Sequence, residues 1–189
     1  MNINDPQTGH FYANVPAPFQ AIKKVEVITG GNSALYGSQA FGGIINFIPN
    51  EFEKKTIEGF LHRGSFNSIR SGFNSGFVYK NMSTGNYIEY QKSDGYISKL
   101  DYEIINNHSY LKMVSEISSH KIGLGFQAKN FGALDFYGAY NSYEQNRGLF
   151  IYIKNKIFYT NQIYFELNGS YRFHKDKFIL TRNDPSVYT

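Results

Sequence analysis

The sequence predicts an all-β fold: an antiparallel transmembrane β-barrel segment of about seven strands, preceded by a smaller β unit. Three observations lead there. From Glu51 onward apolar and polar residues alternate with period two, several alternating runs are long enough to cross a bilayer at a tilt, and short and long connections take turns between them.

The alternation is clearest where Ile163, Phe165, Leu167, Gly169, Tyr171 and Phe173 stand against Tyr164, Glu166, Asn168, Ser170, Arg172 and His174. Ile122, Leu124, Phe126 and Ala128 stand in the same way against Lys121, Gly123, Gly125 and Gln127, as do Phe73, Phe77 and Tyr79 against Asn74, Gly76 and Lys80. Strands are expected over residues 54–64, 70–80, 84–93, 103–117, 121–129, 146–155 and 161–174. Asn81 to Thr84, Ser118 to His120 and Asn155 to Asn161 read as the short connections. Lys92 to Tyr102, Lys129 to Tyr143 and Lys175 to Thr189 read as the long, wet ones. Short turns on one side and long loops on the other are the habit of outer-membrane barrels, whose polar lumen also explains Glu166, Arg172 and His174 without catalysis. If the first strand runs outward, Ser65 to Ile69 and the three long connections are extracellular. Tyr96, Tyr137, Tyr140, Tyr143 and Arg147 then become candidate ligand contacts, through aromatic packing and charge-assisted hydrogen bonds.

Composition removes other classes. There is no Cys, and the five His (His10, His62, His108, His120 and His174) have no ligand spacing, so neither a metal site nor a cofactor is expected. Tyr and Phe make up 17% of the chain, and Trp is absent. The net charge is +4, but Lys and Arg are dispersed, which argues against a nucleic-acid partner. No apolar run approaches the ~20 residues of a spanning helix. Met1 to Gln7 lacks a basic start and an apolar core, so no signal peptide is visible, and the natural start of an exported protein is expected further upstream.

In the first fifty residues, Ile22 to Ile28 is a β-branched run, Ser33 to Tyr36 suits a turn of helix, and Gly42 to Ile48 resumes extended structure. The stretch Gly30 to Gly37 lacks the Gly-Lys-Ser/Thr ending of a phosphate-binding loop, and Asp5 and His10 have no catalytic partner, so no enzyme activity is expected.

The segment from Lys24 to Pro49 contains Val-Glu-Val, Ser-Ala-Leu-Tyr-Gly-Ser, Ala-Phe-Gly-Gly and Ile-Ile-Asn, in that order, and it resembles the end of the plug domain of TonB-dependent receptors. Thr29 and Gly31 depart from the Arg and Pro usual there. Gly30, Gly31, Tyr36, Gly37, Gly42, Gly43 and Asn46 carry the structural motif, the glycines permitting tight reversal and close backbone approach. Asn4 to His10, Val15 to Pro18, Phe131 to Ala133, Tyr143 to Arg147, Tyr171 to Phe178 and Arg182 to Ser186 resemble the vitamin B12 receptor-like branch of Bacteroidetes-type bacteria.

The resemblance implies residues 1–50 as the C-terminal part of a plug and residues 51–189 as the first part of a barrel. It further implies residence in the bacterial outer membrane among its lipids, import of a large nutrient such as cobalamin or a siderophore, and a TonB complex as partner. A full barrel has about 22 strands, so the chain is expected to be an incomplete piece that does not transport as it stands. The alternatives are a non-transport outer-membrane β-domain, an adhesin or binding module, and a soluble β-hydrolase.

Overall fold

The computed structural model describes residues 17–30, 43–135, 141–160 and 162–182. A single 3-10 turn, Phe19–Ala21, leads into β1 (Ile22–Thr29), which pairs antiparallel with β2 (Gly43–Pro49) from Ile22↔Pro49 to Thr29↔Gly43. After a linker, seven strands follow: β3 (Thr56–Arg63), β4 (Ile69–Tyr79), β5 (Met82–Ser93), β6 (Tyr102–Val114), β7 (Ser118–Leu134), β8 (Asn141–Phe158) and β9 (Tyr164–Ile179). They form one antiparallel sheet in chain order, so β3 and β9 are its two edges.

The sequence pattern assigns the two faces correctly. Phe73, Phe77, Ile122, Leu124 and Phe126 are exposed on the outer face, while Asn74, Glu89, Asn106, His108, Lys121 and Gln127 are buried on the inner one. On β7, β8 and β9 the outer apolar band runs from the short-turn end up to Ala128, Leu149 and Phe173, and there it stops. Asn130, Arg147 and Lys175 follow on the same face, Arg147 directly opposite Lys175. Leu149 to Ile157 is a run of roughly nine residues, close to the ~9 to 11 a tilted strand needs to cross a bilayer.

This band explains where the sequence-based boundaries fail. Lys129 to Tyr143 is not one long loop: β7 continues to Leu134 and β8 begins at Asn141. Likewise β9 runs on through Lys175 to Ile179. Just above the band, at Lys129–Asn130, Gln145–Arg147 and Lys175–Lys177, both faces of each strand are polar, so period-two contrast is interrupted although the backbone ladder persists. The expected helical turn at Ser33 to Tyr36 lies outside the described residues.

Among the described residues the clustered apolar core is small and lies on the inner face of the sheet. Ala21, Tyr87 and Tyr110 form it, with Ala17 and Phe52 packed against them, at the junction of the β1–β2 hairpin and the inner wall.

Candidate functional site

The linker between the two sheets is fastened to the wall by named contacts. Asn50 N–H donates to Ala21 O at 2.7 Å, closing the hairpin base, and Tyr87 Oη donates to Asn50 O at 3.4 Å. Phe52 N–H donates to Tyr110 Oη at 2.6 Å. The Phe52 ring stacks on Tyr87, centroids 5.0 Å apart and planes 12° from parallel. It lies flat against β4 and β5 at Gly76 and Gly85, where any side chain would collide with it.

Beside it, the Glu51 carboxylate accepts from Lys112 Nζ at 2.7 Å and from Lys121 Nζ at 2.6 Å. Burial works against the charged form of Glu51, but the two ammonium groups outweigh it and hold the carboxyl below the usual carboxylate range. Lys121 is 7% exposed and lies over the Tyr110 ring at 4.6 Å. A second ion pair stiffens the neighbouring wall: Arg70 donates from Nε and Nη2 to Glu89 Oε2 at 3.0 and 2.7 Å, and Gln91 donates to the other Glu89 oxygen. Between the hairpin and β6, β8 and β9 lies a cleft of about 370 Å³, lined by Ile45, Phe47, His108, Phe150, Tyr152 and Lys154 among others. Among the described residues, no group of three or more His, Asp or Glu is placed to hold a metal ion.

The linker enters β3 at the end where β4–β5, β6–β7 and β8–β9 turn back tightly, so the hairpin and the short turns share a side. At the opposite rim the connections interlock. Asn67 Nδ2 donates to Asp94 Oδ2 at 2.6 Å, joining the β3–β4 and β5–β6 loops. Arg182 forks onto Asp101, Nη1 to Oδ1 at 2.7 Å and Nη2 to Oδ2 at 2.8 Å, bridging from the end of β9 to the start of β6. The Arg182 guanidinium also sits 4.3 Å above the Tyr143 ring. The Arg182 hydrogen bonds hold Asp101 below its ordinary 3.8, although burial pushes the other way. A depressed aspartate contributes its stabilisation above the ordinary value and loses it as pH falls through the lowered one. The tie is therefore expected to be intact at about pH 5 and to loosen only below the ordinary range of aspartate. Titrating the Asp101 carboxyl ¹³C resonance checks this, and a midpoint at or above 3.8 would contradict it.

The candidate residues named from sequence are not gathered at one point. Tyr96 is 71% exposed in the β5–β6 loop. Tyr143 and Arg147 stand on the outward face of β8, where Arg147 donates to Lys129 O, Asn146 O and Asn130 Oδ1, so much of its donor set is engaged within the wall. Tyr137 and Tyr140 lie outside the described residues, as do Gly31, Tyr36, Gly37 and Gly42 of the plug motif. Of the motif's described glycines, Gly30 has φ +99° and Gly43 φ +145°, both in the region that disfavours side chains, and at Gly43 a Cβ would stand 2.7 Å from Ile28 O. Asn46 Nδ2 donates to Glu26 Oε2 across the hairpin at 3.2 Å. Glu51, Phe52, Tyr110, Lys112, Lys121, Asp101 and Arg182 are not among the site residues that the sequence singles out. For the lysines a signal existed, since both fall on the polar parity of their strands.

Comparison with known proteins accords with this arrangement. Residues 1–44 match the TonB-dependent Receptor Plug Domain. The chain is 26% identical over 175 residues to the vitamin B12 transporter BtuB of Vibrio vulnificus, covering 85% of this chain and 25% of that protein. An iron-regulated outer membrane virulence protein of Vibrio cholerae is 50% identical over 38 residues, 20% of this chain and 6% of the relative. The crystal structure of the siderophore receptor PiuA from Acinetobacter baumannii shares the fold with a TM-score of 0.75 at 16% identity, over 84% of this chain and 27% of that one. The chain thus spans about a quarter of the length of the vitamin B12 transporter and of the siderophore receptor. Residues 1–44 are similar to the TonB-dependent Receptor Plug Domain, and the wall that follows shares its fold with the siderophore receptor structure.

Proposed function

We propose that this chain supplies the end of the plug, residues 1–50, and the first barrel strands, residues 51–189, of an outer-membrane transporter. Its cargo is a large scarce nutrient such as cobalamin or a siderophore, and a TonB complex drives it. One observation supports this above the others: the same wall presents an apolar band outward and a polar face inward, and the plug hairpin is seated on the polar face through Glu51 and Phe52. A wall wet on the inside and apolar on the outside suits a lumen within lipid. The cobalamin reading draws on the similarity to the B12 transporter, and the siderophore reading on the fold shared with the siderophore receptor. Placement in a Bacteroidetes-type branch rests only on the segments quoted from the sequence, since the relatives named above come from Vibrio and Acinetobacter.

In cells bearing a full receptor that contains this chain, uptake of labelled cyanocobalamin or a ferric siderophore is expected to stop when the proton gradient is dissipated. Uptake indifferent to the gradient would sink the transport reading. Sidedness has its own check. Ser98 and Glu116 are both exposed, the first in a long loop and the second in a short turn. On intact cells a membrane-impermeant thiol reagent is expected to label Ser98→Cys and spare Glu116→Cys. The reverse pattern would invert the topology and remove Tyr96 as a first contact.

A further inference from the structure

Lys112, Lys121 and Lys154 form a row across three adjacent strands. Lys112 of β6 is the register partner of Lys121 of β7, and Lys121 is the register partner of Lys154 of β8. All three belong to the inward face, as the burial of Tyr110, Lys121 and Phe150 on the same parities shows. Like charges directly opposite one another in a sheet repel, and the cost grows as water is withdrawn. A buried Lys121 set between two lysines is therefore a local conflict unless an anion neutralises it. The anion present is Glu51, which belongs to none of these strands but to the linker arriving from the plug.

We propose that the Lys112–Lys121–Lys154 row is a carboxylate-binding seat built into the lumen wall, and that Glu51 occupies it as a removable latch holding the plug's exit segment against β6 and β7. The carboxylate bridges the first two ammonium groups, and the aromatic rings of Tyr110 and Tyr152 flank Lys121 at 4.6 and 5.9 Å. Lys154 lines the cleft beside the hairpin, and Glu51 and Lys112 line a second cavity of about 490 Å³, so a solute carboxylate can approach the row from either end. Exchange of Glu51 for such an anion leaves the row neutralised while the linker comes free. The seat stands on wall geometry alone, and its test does not depend on what the receptor imports.

The direct test is chemical rescue, read by hydrogen–deuterium exchange of the full chain in detergent micelles. Phe52 N–H, bonded to Tyr110 Oη, reports linker seating, and the amides of β6 and β7 report the fold. Glu51→Ala is expected to raise exchange of the peptide containing Phe52 by about tenfold or more while the strand amides stay protected, since an uncompensated buried ammonium destabilises the seated form. Sodium acetate, which restores the deleted CH₂–COO⁻ group, is expected to bring Phe52 protection back. Sodium chloride at equal ionic strength is not. Glu51→Gln fills the same space without charge and is expected to stay unprotected with or without acetate. Unprotected Phe52 in the unsubstituted chain, rescue of both variants alike, or equal rescue by chloride would overturn the proposal.

Discussion

Replacing Leu167 by arginine is expected to destabilise the folded wall by ~2 to 4 kcal/mol in a bilayer, the cost of a cation on the lipid face near the midplane. Leu167 is 58% exposed and lies between Phe165 and Gly169, near the middle of the apolar run that ends at Phe173 on β9. Its neighbour Glu166 points to the other face, where it accepts from Asn168 Nδ2 at 2.7 Å. Glu166→Ala is expected to cost well under ~1 kcal/mol, as an exposed polar contact does. Urea unfolding in lipid vesicles, with both variants in a full receptor containing the chain, makes the comparison. Equal losses would show that the facing of β9 is wrong.

The second large effect is expected at the linker. Phe→Ala at a packed site costs about 3 to 5 kcal/mol, and Phe52 is half-buried rather than fully so, which places Phe52→Ala near the lower end of that range. Three contacts are lost together: the stack on Tyr87, the fit over Gly76 and Gly85, and packing against the Ala21–Tyr87–Tyr110 core. Phe66, 55% exposed in the β3–β4 loop, is the control, because its ring leaves no comparable cavity. Denaturant midpoints that fall equally for Phe52→Ala and Phe66→Ala would remove the linker from any anchoring role.

Both predictions draw on what a single chain of letters reveals when its neighbours in space are known. Alternation located the seven wall strands, because a pleated strand sends successive side chains to opposite faces and only one of those faces meets lipid, while the β-branched run Ile22 to Ile28 and the stretch Gly42 to Ile48 marked the two hairpin strands. The contrast of Leu124 with Gly125, or of Leu167 with Glu166, needs no partner to be read. The motif from Lys24 to Pro49 was legible through its resemblance to the plug domain, and the positive φ of Gly30 and Gly43 accords with the freedom expected of its glycines.

Strand ends above the apolar band were illegible: Asn130, Arg147 and Lys175 face outward as polar residues do in loops, and only the ladder to the next strand keeps them extended. The latch was hidden more deeply. Glu51 and Lys121 are 70 positions apart, as are no two residues joined by any local rule, and Asp101 and Arg182 are 81 apart. Sequence periodicity states which way a side chain points along its own strand. Which strands lie side by side, and in what register, is a property of the assembled sheet, and it is register that sets Lys112 against Lys121 and brings one linker carboxylate between them.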